Sequence, residues 1–386
     1  MERQKNIPKL RFPEFDVEWE RKKLGESAEL TSSKRVYLSD YTNTGIPFYR
    51  GKEITELKQG IEPSDILYIS ESSYMKFKET YGIPLIDDIL MTAVGTLGNV
   101  LRINTDKPFY FKDGNLIWFR NIKEYSSFLE VLLHVNRKEV EKSSIGSTQR
   151  ALTMVELRKL VFSFPPYPEQ QKIASFFTAI DQRISQLKRK KILLEQYKKG
   201  LMQKIFSQEI RFKENNGQEF PKWEKKKIKD LVEIKYGKDQ KQISCENGKY
   251  PILGTGGEMG RTNDFLTDKP SVLIGRKGTI DKPRYMDTPF WTVDTLFYTY
   301  VFANTNPKWL YYKFGTINWY LYNEASGVPS LSSSTIYTIP IILPTLPEQT
   351  KIANFLSAID DKINNTQIQI EKAEIWKKGL LQKMFV

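Results

Sequence analysis

Four short stretches carry side chains suited to polar recognition: YRGK (49–52), GSTQR (146–150), GRKGT (275–279) and KPRY (282–285). Each holds the glycine or proline of a loop, and together they mix N–H donors with aromatic rings. Arginine and lysine can donate to guanine, and glutamine can bond adenine, in the major groove of DNA. With the glycine turns described below, they make Arg50, Lys52, Thr96, Gln149, Arg150, Arg276, Lys277, Thr279, Lys282 and Arg284 the candidate nucleic-acid contacts. Many contacts of this kind go to phosphates, which position a protein without reading sequence. The basic run KRKK (188–191) suits phosphates and solvent equally.

Groups that could do covalent chemistry are sparse. FPPY (164–167) resembles the catalytic loop of amino-methyltransferases, but Phe164 stands where Asn, Asp or Ser is needed. No glycine-rich strand–turn–helix for S-adenosylmethionine accompanies it, so the stretch reads as a rigid lead-in to a helix. GTGGEMGRT (254–262) fails the phosphate-loop spacing, with Thr255 in place of the first glycine and Arg261 in place of lysine. It also fails G-x-G-x-x-G at Met259 and reads as a flexible loop. One histidine (His134) and one cysteine (Cys245) cannot build a His/Cys zinc site. A serine triad would rest on His134 alone, with no nucleophile elbow. Asp87–Asp88 and Asp360–Asp361 are sequence neighbours, which point different ways. The chain is therefore expected to have no catalytic, cofactor-binding or metal-ligating residue of its own.

The chain has 386 residues, enough for two or three domains. Its 40% hydrophobic and 27% charged residues are ordinary for a soluble protein. No apolar run is long enough to span a membrane, and the N-terminus lacks the apolar core of a signal peptide. A lone cysteine excludes an intramolecular disulfide. These features together predict a cytoplasmic protein. The net charge of +13 favours a polyanionic partner, either nucleic acid or an acidic membrane.

The elements that must position the loops come in two copies. PEQQKIASFFTAID begins at Pro168 and PEQTKIANFLSAID at Pro347, 179 residues later. Without a gap the echo runs on to YKKGLMQKIF, ending at Phe206, and WKKGLLQKMF, ending at Phe385. Apolar positions alternate four and three apart. In the first copy they run Ile173, Phe177, Ile180, Ile184, Leu187; in the second, Ile352, Leu356, Ile359, Ile363. This is the seam of a coiled coil. It is broken in both copies by a lysine, Lys198 or Lys377, beside a glycine, Gly200 or Gly379. The paired break suggests close approach of another backbone. Pro168 and Pro347 suit a first helical turn, and Glu169 and Glu348 complement its positive end. Apolar bulk outside the seam (Phe176, Tyr197, Phe206, Phe355, Trp376 and Phe385) marks candidate partner-docking positions.

A β-rich block precedes each helix. Both blocks open with a tryptophan before glutamate and a basic triplet, in EWERKK (18–23) and KWEKKK (222–227). Both carry a strand and glycine turn with Leu-x4-Gly-Thr spacing, at Leu90 to Thr96 and Leu273 to Thr279. The expected divisions are 1–165, 166–207, 208–344 and 345–386.

In this order, globular block, PEQ helix, globular block, PEQ helix, the whole chain resembles the specificity subunit of type I restriction–modification enzymes. The resemblance rests on PPYPEQQKIASFF and LPTLPEQTKIANFL, KKGLMQKIF and KKGLLQKMF, and the W-E-x-K-K openings. It implies an α+β fold of two target recognition domains with twisted β-sheet cores. Two long antiparallel helices would separate them, giving an internal pseudo-twofold repeat. It implies a non-catalytic subunit that recognises an asymmetric bipartite site in double-stranded DNA, one half-site per domain. It further implies two methyltransferase and two motor-nuclease subunits as partners, holding the S-adenosylmethionine, ATP and Mg²⁺. Arg276-Lys277 match the family's basic hairpin, whereas the first block has Ala93-Val94 there, so Arg50 and Lys52 are expected to supply that contact. The rival readings are a self-contained DNA modification methylase and a coiled-coil adaptor that does not bind DNA.

Overall fold

The computed structural model describes residues 6–386. The first five residues of the expected 1–165 block lie outside the described residues. The fold is α+β, in two compact units. One holds the chain up to Gln186 together with Ile370–Val386; the other is Leu187–Gln369. Each contains a stretch of both long helices, which run unbroken over Tyr167–Phe206 and Leu346–Met384.

The first unit is organised by a four-stranded antiparallel sheet. Its order is Glu29–Thr31, Leu116–Arg120, Ile89–Thr92, Val100–Arg102. Ile89–Thr92 is buried along its whole length because both faces are covered. Alternate residues of a strand face opposite ways. Ile89 and Met91, with Ile117 and Phe119, join a core that includes Ile173, Phe177, Ile180 and Phe385 of the long helices. Leu90, Leu116 and Trp118 face a second core with Ile54. A further sheet, ordered Tyr41–Thr42, Leu67–Ile69, Ile46–Tyr49, Tyr110–Phe111, ends in a parallel pair.

The second unit repeats the plan. Its four strands are Val232–Lys235, Leu296–Val301, Ser271–Gly275 and Arg284–Met286. Val272, Ile274 and Phe297 face the helices, while Leu273, Leu296 and Tyr298 face the other core. Its smaller sheet also has a parallel pair, Tyr250–Gly254 with Trp291–Thr292. GTGGEMGRT is not a flexible loop. It is a hairpin whose strands Tyr250–Gly254 and Gly257–Thr262 pair across Thr255-Gly256, with Gly257 at φ +136°.

Each unit fastens the start of a long helix in the same way. Glu169 and Glu348, expected only to complement the helix dipole, are fully buried acceptors. Arg11 bonds Glu169 at 2.8 and 2.7 Å, and the Trp19 indole reaches it at 3.4 Å. Arg211 bonds Glu348 at 3.2 and 2.8 Å, with the Trp223 indole at 2.9 Å. The next residue, glutamine, takes the N–H of Tyr125 or Asn306 and donates to the carbonyl of Pro165 or Pro344. The PEQ repeat is thus a lock between each globular block and its helix. FPPY belongs to that lock, since Phe164 is buried in the strand Val161–Phe164.

The lysine breaks in the seam are reciprocal. In the first unit Lys377 bonds Asp181 at 2.5 Å; in the second, Lys198 bonds Asp360 at 2.5 Å and lies over the Tyr312 ring. Asp181 and Lys198 precede Asp360 and Lys377 by the same 179 positions, so each helix offers its aspartate to the other's lysine. Together with the Phe177–Phe385 ring contact, this order makes the helices antiparallel. Gly200 and Gly379 do not admit a backbone of this chain, because a Cβ at either would meet nothing within 4 Å. Among the described residues no helix is long and apolar enough to cross a membrane.

Candidate nucleic-acid interface

In the first unit two of the candidate stretches come together with the glycine turn. The turn after Ile89–Thr92 is tied down by Asn99 N–H donating to the Thr92 hydroxyl at 2.9 Å and by that hydroxyl donating to the Thr96 carbonyl. The 145–151 loop lies beside this turn. Leu152 N–H donates to the Ala93 carbonyl at 2.8 Å, and Ala151 bridges both Val94 and Ile145. Helix Gly51–Lys58 closes the third side: a Cβ at Gly51 would lie 3.6 Å from Thr92 Cγ2. Arg50, Lys52, Thr96, Gln149 and Arg150 therefore belong to one surface.

The second unit builds the same surface from its own loops. Leu331 N–H donates to the Arg276 carbonyl at 2.9 Å, Gly278 N–H to the Pro329 carbonyl at 2.8 Å, and Lys277 bridges Ser330. These bonds repeat those of Leu152 and Ala151. Arg284 donates to the carbonyls of Gly254 and Thr255, bringing in the hairpin turn. A Cβ at Gly278 would lie 3.4 Å from the Thr255 hydroxyl.

The four arginines all have partners inside the protein. Arg50 stands at the N-cap position of its helix and clamps the fully buried Glu53, with Nη2 at 2.5 Å. Burial works against the charge on Glu53, but the hydrogen bonds from Arg50 prevail and hold the carboxyl below its usual range. Arg50 is thus partly spent on the helix start rather than free to replace the missing basic pair. Arg150 is tied to Ser144 Oγ and the Glu141 carbonyl. Arg276 pairs with Asp294 at 2.5 Å and lies over Tyr236. The side chains that reach outward with looser ties are Lys52, Gln149, Lys277 and Lys282, all exposed. Lys52 has only distant carboxylates, Asp65 at 3.7 Å and Glu56 at 3.9 Å. Thr96 is exposed and Thr279 half-buried. In the KRKK run, Arg189 and Lys190 are exposed, and Lys191 pairs with Glu195.

One loop was missed by residue type. The 325–330 segment holds no cation, yet it is the second unit's counterpart of 146–151. Its signal was the helix repeat carried backward: the N-cap hydroxyls Thr153 and Ser332 are also 179 residues apart.

The docking candidates divide. Tyr197 and Trp376, at equivalent positions, are 56% and 54% exposed. Phe355 lies at the surface against Phe212, and Phe176 is half-buried between Phe12 and Trp376. Phe206 is half-buried against Trp309. Phe385 is not a surface residue: it stacks on Phe128 at 5.7 Å inside the first unit's core.

The model of the type I restriction modification DNA specificity domain matches residues 16–196 and 221–373. The chain is 24% identical, over 98% of its length and 95% of the relative's, to the putative type I restriction enzyme MjaX specificity subunit of Methanocaldococcus jannaschii. It is also 24% identical to the MjaVIII specificity subunit of that organism, over 98% of this chain and 93% of the relative. The crystal structure of the type I restriction–modification S subunit from M. genitalium superposes with a TM-score of 0.67 at 18% identity. That match covers 98% of this chain and 99% of the other.

Proposed function

We propose, from the premise that this chain belongs to the type I restriction modification DNA specificity domain family, that it recognises an asymmetric, two-part site in double-stranded DNA, one part per unit. The observation that carries this reading is the doubled loop surface. The backbone framework is the same in both units, while the side chains it presents differ (Val94 and Gln149 in one, Lys277 and Val328 in the other). Equal frameworks with unequal side chains suit two unlike half-sites, and the +13 charge suits the phosphates between contacts. Comparing genomic methylation with and without this chain tests the reading. An interrupted two-part motif should lose its methylation when the chain is removed; loss of a continuous motif, or of none, would refute it.

In this reading the chain is a non-catalytic scaffold. Two methyltransferase subunits and, for cleavage, two motor-nuclease subunits hold the S-adenosylmethionine, ATP and Mg²⁺. The purified chain supplied with all three should neither methylate nor cut DNA. Tyr197 and Trp376 are the exposed aromatics best placed to dock the methyltransferase subunits, and the open space at Gly200 and Gly379 leaves room for a partner's backbone. Truncating interface aromatics commonly costs about 2 kcal/mol or more each. Tyr197→Ala with Trp376→Ala should therefore weaken assembly by roughly 1000-fold on that scale. Size-exclusion chromatography of the mixed subunits reads this, and the methylated sequence of any complex that still forms should be unchanged.

A further inference from the structure

The loop tips at Gln149 and Val328 occupy equivalent places in the two units, but their chemistry is opposite. Gln149 carries an amide; Val328 is a branched hydrocarbon, 68% exposed. Its loop is held from several sides. The Asn323 side chain accepts from the N–H groups of Ala325 and Ser330 and donates to the Ala325 carbonyl at 2.7 Å. Glu324 N–H donates to the Ser330 carbonyl at 3.0 Å, and Gly278 N–H to that of Pro329. The Glu324 carboxylate is drawn below its usual range by the Ser332 and Thr335 hydroxyls it accepts from. A valine so framed is displayed in one place, beside Lys277, rather than left on a mobile tip.

Valine can bond neither a phosphate nor a polar base edge. The apolar feature that the major groove offers is the 5-methyl group of thymine. Resting on the reading of this surface as a DNA reader, we propose that Val328 is a specificity-determining residue that recognises a thymine in the second unit's half-site through its 5-methyl group. Lys277 beside it supplies the polar contact.

The test uses the chain assembled with its methyltransferase subunit and duplexes of the methylated target. Each thymine is replaced in turn by uracil, which removes only the methyl group. At one position uracil should weaken binding about 3- to 10-fold, the value of one buried methyl and its neighbours. In Val328→Ala the same replacement should change binding less than about twofold, because its partner is gone. Sequence-specific binding with no uracil-sensitive position, a half-site without thymine, or an equal penalty in Val328→Ala would overturn this inference alone. A complex without any sequence preference would overturn the proposed function and this inference with it. Val328→Thr, which keeps one methyl and the branched shape, should retain part of the uracil effect if the alanine variant loses it through contact rather than through the loop.

Discussion

Exchanging residues 1–165 for the corresponding block of another specificity subunit should replace one half of the DNA target and leave the other half intact. The exchanged block carries the whole first surface: the start of helix Gly51–Lys58, the turn at 93–96 and the loop at 145–151. None of the second unit's surface lies within it. Each wrong base pair costs about 1–3 kcal/mol, so a half-site altered at three positions loses affinity by a factor of about 10² to 10⁶. Methylation sequencing of a strain carrying the chimera would show a hybrid motif. Change in both halves would mean that the units do not read independently. The chimera must also fold. Trp19 and Phe128 of the block meet Phe385, which the exchange leaves behind, at 6.1 and 5.7 Å. A donor block with aromatic residues at these two places and an arginine for Glu169 should fit the retained helices. One without them should give an unstable protein rather than a new specificity.

How much of this was legible without coordinates depends on the range of the interaction. The long helices were readable because their repeat is local. Of the seam residues, Ile173, Phe177, Ile352, Leu356 and Ile359 are buried as the spacing requires. The strand and turn at 89–96 and its counterpart at 271–279 were readable from the same Leu-x4-Gly-Thr spacing. The lock at the helix start was not. Arg11 and Glu169 are 158 residues apart, and no periodicity links them. The same limit hid Phe385, whose position outside the seam suggested exposure until the first unit's aromatic core covered it. Charge alone does not show which donors stay free. The arginines carry the most donors, and the fold spends those donors on Glu53, Asp294 and backbone carbonyls.

The lock itself should be the most sensitive point of the second unit. Arg211→Met removes the guanidinium but leaves Glu348, which is fully buried. The carboxylate would keep the Trp223 indole at 2.9 Å and lose its countercharge. Removing one member of a buried ion pair typically costs about 3–5 kcal/mol, because the remaining charge has given up water without compensation. Arg211 is 24% exposed at its side chain, so water can reach the vacated place and the cost belongs at the lower end, about 3 kcal/mol. Denaturant unfolding should therefore show a transition shifted to lower concentration. Arg11→Met in the first unit removes a guanidinium only 9% exposed and should cost more than its counterpart. The double change Arg211→Met with Glu348→Gln discriminates the cause. A neutral amide can still accept from the indole, so it should recover most of the loss if the buried charge is responsible. Should the double variant be as unstable as Arg211→Met, the arginine acts through packing against the 220–221 carbonyls it also binds. The repeated glutamate would then be a polar helix cap rather than the centre of the lock.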